Sequence, residues 1–217
     1  MTILYHPSDS LLTAFSAGTL DLGQHIAVAT HALSCAYCRK WTRTVEQLGG
    51  ATLENLRPAA MASDALSLVL SRLDEPVKTA KYDITASPSA LADVPGLPKF
   101  VRRYSAGEWK WIAPRLHLRP IHVPDAGDTR VFLLKAGPGL KLLPHTHTGT
   151  EMTCVLTGSF NHDSTRYGAG DFDLGDPDVD HEISIGSEGD CICLVAMQGE
   201  LRLKGFLGYL MQPLVSI

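Results

Sequence analysis

The stretch His31-Ala-Leu-Ser-Cys35-Ala-Tyr-Cys38 constrains this chain more than any other. On a helix, positions i and i+4 share a face, so His31 and Cys35 can grip one ion. Cys38 is then reached by the turn after Cys35 or by the first turn of a following helix. Thiolate together with imidazole selects zinc, which takes four such ligands in a tetrahedron. The stretch supplies three, and His6, just before a helix-start signal, is the candidate fourth. His25 competes for that place. It lies six residues before His31, points to a different azimuth on a helix, and reads as surface or core filler. A closed site of this kind is structural and pins the N-terminal segment to a helix pair. A redox dithiol at Cys35 and Cys38 would want a preceding strand and a thioredoxin-like setting. The surrounding sequence suggests neither.

Apolar spacing on either side predicts helices. Ser8 is an N-cap for a helix reaching about Ala17, with Leu11, Leu12 and Phe15 inward and Gly18 as its stop. Asp21 caps the next, with Gln24 at the capping-box position and Leu22, Ile26 and Ala29 as its stripe. A third spans Ala36 to about Leu48, carries Trp41, Val45 and Leu48 at i, i+4, i+7, and ends at Gly49-Gly50. Leu66, Val69, Leu70 and Leu73 mark a fourth, starting near Ser63 or Asp64. A helical unit of about 50 residues is small enough that a metal helps complete its stability. The fourth stripe has no second face to meet in so small a bundle, so it packs on the bundle or serves a partner.

From Asp74 to Asp93 the composition turns to Pro, Ser, Thr and Ala, and residues 81–93 read as a linker. Beyond it, short β-favouring runs are bounded by Gly, Pro or Asp: Trp109–Ile112, Leu116–Leu118, Thr129–Leu134, Met152–Leu156 and Cys191–Val195. Many short strands with regular turns mean a sandwich or barrel. The expected fold class is therefore α+β: a zinc-stabilised helical bundle over residues 1–80, then an all-β barrel over 94–217. Hydrophobic content of 45% supports real cores. With 19 Lys+Arg against 23 Asp+Glu, the chain is too acidic to suggest nucleic acid as a direct partner. Arg39, Lys40 and Arg43 read as a solvated helix face. The first residues lack the pattern of a signal peptide, and no apolar run approaches the roughly 18 residues that a membrane span needs. Five cysteines, an odd number in spacings that suit metal, point to a reducing cytoplasm.

A second constellation lies in Gly139-Leu-Lys-Leu-Leu-Pro-His145-Thr-His147-Thr-Gly-Thr-Glu151-Met-Thr-Cys-Val-Leu-Thr-Gly158. Two histidines two apart on an extended segment project to one side. The run matches the first cupin motif at every defined position. Gly170, Pro177 and His181 supply the outline of the second motif, with the proline displaced and no asparagine four residues after His181. That resemblance implies a metal held by His145, His147, Glu151 and His181. Three imidazoles and one carboxylate suit zinc or another divalent transition metal. Asp171, Asp173, Asp176, Asp178 and Asp180 lack the glycine and terminal glutamate of a calcium loop and read as solvated turns. Cys191 and Cys193 alternate on one strand and share a face. They are either buried small hydrophobes or a redox pair facing the barrel interior.

The two motifs in this order resemble the ChrR family of zinc-binding anti-sigma factors, over nearly the whole chain. The resemblance implies an anti-sigma zinc on His6, His31, Cys35 and Cys38, a second metal in the cupin, and Cys191 and Cys193 as that family's cysteine pair. It implies that the helical part sequesters an extracytoplasmic-function sigma factor. The cupin would sense singlet oxygen or organic peroxide and release it. No membrane and no enzymatic turnover belong to that reading, and the cupins can pair as a homodimer. The rival is a cupin metalloenzyme, a dioxygenase or isomerase, with a helical appendage.

Overall fold

The computed structural model of the chain describes residues 2–76, 91–175 and 183–203. Helices come first. α1 (Asp9–Ser16) starts where the Ser8 hydroxyl accepts the Leu11 N–H at 3.3 Å. It ends before Gly18, whose φ of 67° is the left-handed stop. α2 (Leu22–Ser34) starts where Asp21 Oδ1 accepts the Gln24 N–H at 2.9 Å.

α3 (Ala36–Glu54) does not end at Gly49-Gly50 as expected but runs through both. Neither glycine is left-handed, and nothing lies within 4 Å of where their side chains would be. A glycine stops a helix by adopting positive φ; otherwise it only weakens it, by about 1 kcal/mol. Leu48, placed on the inner stripe by its spacing, is exposed. α4 (Ala65–Ser71) follows Asp64 and buries none of its residues.

The strands are β1 (Ser105–Ala106), β2 (Lys110–Ala113), β3 (Leu116–His122), β4 (Arg130–Ala136), β5 (His145–His147), β6 (Glu151–Thr157), β7 (Ser159–His162), β8 (Thr165–Gly168), β9 (Phe172–Gly175), β10 (Ile183–Ile185), β11 (Cys191–Met197) and β12 (Leu201–Leu203). Each expected strand is among them. A seven-stranded antiparallel sheet runs in the order β1-β3-β4-β11-β6-β9, with β2 on β3. A three-stranded sheet (β10-β7-β8) and the β12-β5 pair complete the set. Among the described residues these sheets do not close into the expected barrel.

Period-two alternation divides the large sheet between two cores. Ile192, Leu194 and Ala196 of β11 join Val131, Leu133, Met152 and Cys154 on the face toward the helices, where Leu12, Ile26, Val28 and Cys38 meet them. Cys191, Cys193, Val195 and Met197 point the other way, toward Val155, Phe160 and Ile185. Because both faces are covered, β11 reads as an unbroken apolar run rather than an alternating one. Leu91 and Val94 are each 2% exposed and belong to the helix-side core, so the end of the expected linker is already packed.

α2 is therefore the middle layer, buried far beyond the single stripe that its spacing suggests. Gly23 is where it approaches the sheet most closely. A Cβ there would stand 2.5 Å from Thr129 Cγ2 and 3.2 Å from Val131 Cγ2. Gly23→Ala should destabilise the chain by about 1–3 kcal/mol despite alanine's better helix propensity. Urea unfolding measures this, and an unchanged or raised midpoint would mean that the helix is free to lift.

Candidate metal centres

α2 and α3 meet at Cys35, the residue between them. It accepts the Cys38 N–H on its sulfur at 3.4 Å. The turn brings Cys35 and Cys38 back toward His31 on the last turn of α2. The extended N-terminal segment lays His6 across them. His31 Nε2 is 3.2 Å from Cys38 Sγ, and His6 Nδ1 lies 3.4 Å from Cys35 Sγ and 3.5 Å from Cys38 Sγ. All four ligand atoms lie within 4.8 Å of one another. The four residues named from spacing thus come together in one cluster able to bind a metal.

The chemistry of this set fits a metal closely. His31, Cys35 and Cys38 are buried, so solvent does not compete for the ligand atoms. His31 Nδ1 donates to the Gly170 carbonyl at 2.7 Å, which leaves Nε2, the nitrogen facing the sulfurs, as the ligating atom. Burial lowers the His31 pKa to about 4, so its imidazole is neutral at pH 7, the form that ligates. Burial, reinforced by Cys35, pushes the Cys38 thiol up to about 12. His25 stays out of the cluster and stacks on Phe15, 4.3 Å between ring centres.

The second set lies on the inner side of the β part. His145 and His147 share one face of β5, both buried, with ring centres 5.0 Å apart. His147 Nε2 is 3.0 Å from Glu151 Oε2 at the start of β6, and Thr153 donates to the other carboxylate oxygen at 3.1 Å. His145 Nδ1 donates to the Leu143 carbonyl at 2.8 Å, which turns Nε2 outward. His181 lies outside the described residues, as do Pro177, Asp176, Asp178 and Asp180. Cys191 and Cys193 do share a face, with sulfurs 3.7 Å apart, and the Cys191 contact together with full burial drives the Cys193 thiol well above its ordinary value.

The acidic run corrects one expectation. Asp171 is not a solvated turn residue: it is 5% exposed. Its Oδ1 accepts the N–H groups of Leu4 at 2.7 Å and Tyr5 at 3.1 Å, and its Oδ2 that of Gly168 at 2.8 Å. Asp173 is engaged too, accepting from His162 Nδ1 at 2.8 Å. Gly170 and Asp171 support the helical cluster from the β part. Sequence reading missed that role, because nothing local links them to residues more than 130 positions away.

Residues 98–200 match the ChrR cupin-like domain model. The anti-sigma-E factor ChrR of Cereibacter sphaeroides is 34% identical over 220 residues, covering 100% of both chains. A chain in the crystal structure of Rhodobacter sphaeroides SigE in complex with the anti-sigma ChrR superposes with a TM-score of 0.73 at 31% identity. It covers 91% of this chain and 100% of that one.

Metal uptake at the helical cluster should release at least one proton per ion at pH 7, because the Cys38 thiol must ionise to ligate. Calorimetry in two buffers of different ionisation enthalpy reads this number. Uptake with no proton release would mean that Cys38 is not a ligand.

Proposed function

The chain belongs to the ChrR family of anti-sigma factors, and we propose that it sequesters an extracytoplasmic-function sigma factor in the cytoplasm. It acts by binding, as a regulator, and not as an enzyme. In functional terms the chain divides at a linker of residues 81–93, with the anti-sigma part at 1–80 and the cupin sensor at 94–217.

The observation that carries this is the apolar surface on the end of α3 and on α4. Leu48, Leu53, Leu56, Leu66, Val69 and Leu70 are each more than half exposed, and α4 buries nothing within the chain. Several large exposed apolar side chains this close together in sequence point to a protein interface. In the SigE–ChrR structure the related chain is held with a sigma factor. Neither a fold nor a metal site needs these side chains outside, whereas a partner does. No helix among the described residues is long and apolar enough to cross a membrane.

Zinc is the ion that the two thiols and two imidazoles of the helical cluster suit best. It would fix the turn between α2 and α3 and so hold the α3 surface in place. His145, His147, Glu151 and His181 form the cupin set, for zinc or another divalent transition metal. Sensing of singlet oxygen or organic peroxide belongs to this second site, with Cys191 and Cys193 as its redox component. The depth of that pair makes it slow to react through a thiolate, so the cupin metal is the group that meets the oxidant first and is needed for the signal. Pairing of cupins as a homodimer is compatible with this arrangement.

Two measurements test the reading. Leu70→Asp together with Leu66→Asp should weaken binding of the partner sigma factor by about 30-fold or more, the effect of losing central interface anchors. Pull-down and calorimetry with the full chain check it, and undiminished binding would remove the α4 surface from the interface. Second, organic peroxide or singlet oxygen should release the sigma factor from the wild-type complex but not from a His147→Ala complex. Equal release from both would move the sensor out of the cupin site.

A further inference from the structure

The helical metal cluster is built from residues 6 to 38, yet two of its four members are held by the β part. His31 Nδ1 donates to the Gly170 carbonyl at 2.7 Å. The segment that delivers His6 is fixed one and two residues earlier, by the Leu4 and Tyr5 N–H groups on Asp171 Oδ1. The Tyr5 carbonyl in turn accepts the Phe172 N–H at 3.1 Å. These three bonds fasten the N-terminal segment to the turn that opens β9. The space is tight: a Cβ on Gly170, whose φ is 91°, would stand 2.8 Å from Ile3 Cδ1. The Phe172 ring meets His31 edge-on at 5.8 Å.

We propose that the turn Gly170-Asp171-Phe172 is the outer shell of the helical metal site, with Asp171 the positioning residue for His6 and the Gly170 carbonyl for His31. The proposal rests on the metal reading of the cluster given above. The physical reason is orientation. A ligating imidazole holds its metal best when its other N–H is anchored, because the ring cannot then swing away and its ligating nitrogen is more basic. His6 is the ligand at most risk. It arrives on an extended segment with no helix of its own, so without Asp171 its backbone has only one bond to the turn, through Tyr5.

The arrangement also gives the β part a grip on the helical ion. β9 pairs with β6, Phe172 opposite Cys154 and Gly175 opposite Glu151. One two-stranded ribbon therefore carries Glu151 at one end and the outer shell of the helical site at the other. Whatever loosens the turn lowers metal affinity, and by linkage the bound ion stiffens the turn.

The experiment uses the full chain loaded with cobalt(II). Thiolate-to-cobalt absorption arises only where cysteine ligates, so it reports the helical site and is blind to a cupin metal held by nitrogen and oxygen. The rate at which this band decays into excess chelator is the readout. In Asp171→Ala the decay should be about tenfold faster or more, with the starting band and the near-ultraviolet circular dichroism retained. Leu4→Pro deletes one of the same hydrogen bonds from the other side without touching the β part, and the Leu4 side chain is 65% exposed. Its decay should be several-fold faster. If Asp171→Ala loses its tertiary dichroism, Leu4→Pro decides alone. Rates within twofold of wild type would overturn the proposal while leaving the metal site intact. A wild-type chain with no thiolate band would instead sink the metal reading itself, and this inference with it.

Discussion

α2 lies on the outer face of the large sheet, and the rest of the molecule is arranged by that contact. Its middle is apolar: Ile26, Ala27 and Val28 are each at most 1% exposed and share a core with Leu194 and Leu133 of the sheet. Its ends are polar and tied. At the N-terminus Asp21 serves two masters. Oδ1 caps the helix, and Oδ2 accepts from Thr129 at 2.6 Å and Gln198 at 3.0 Å. At the C-terminus His31 reaches the Gly170 carbonyl. Apolar burial supplies the adhesion but has no direction. The hydrogen bonds at both ends fix the helix along its axis, and that register sets where the metal ligands fall.

This layering means that the helical and β parts are not two bodies joined by a tether. They share a core, and one contributes an anchoring group to the other's metal cluster. The cupin part and the helical metal cluster are therefore in direct physical contact. Paired β6 and β9 run between them, with Glu151 at one end and Asp171 just beyond the other.

The two candidate sets differ in their chemistry. The helical set, three of its four members buried, is rich in sulfur and closed around its own centre, which suits an ion that holds structure. The candidate cupin set is nitrogen and oxygen, with His145 and His147 buried and Glu151 partly exposed. Cys191 and Cys193 belong to the core on the face of the large sheet away from the helices. α4, with its leucines outward, belongs to neither centre and buries none of its residues in its own fold.

Much of this was legible in the residues because it is local. Caps at Ser8 and Asp21, the left-handed glycine after α1, the period-two strands and the His31–Cys35–Cys38 spacing are each decided within a few positions of the chain. His6 was legible by elimination, since zinc wants a fourth ligand and few were on offer. Gly49-Gly50 misled, because composition marks where a helix can stop and not where it does. Tertiary structure alone decided that α2 is buried on several sides, that Asp171 caps a segment 166 residues away, and that the Gly170 carbonyl orients His31. The reason is the range of the forces. Propensity and metal-ligand spacing act along the chain, whereas burial and long-range hydrogen bonds exist only once distant segments have been packed together.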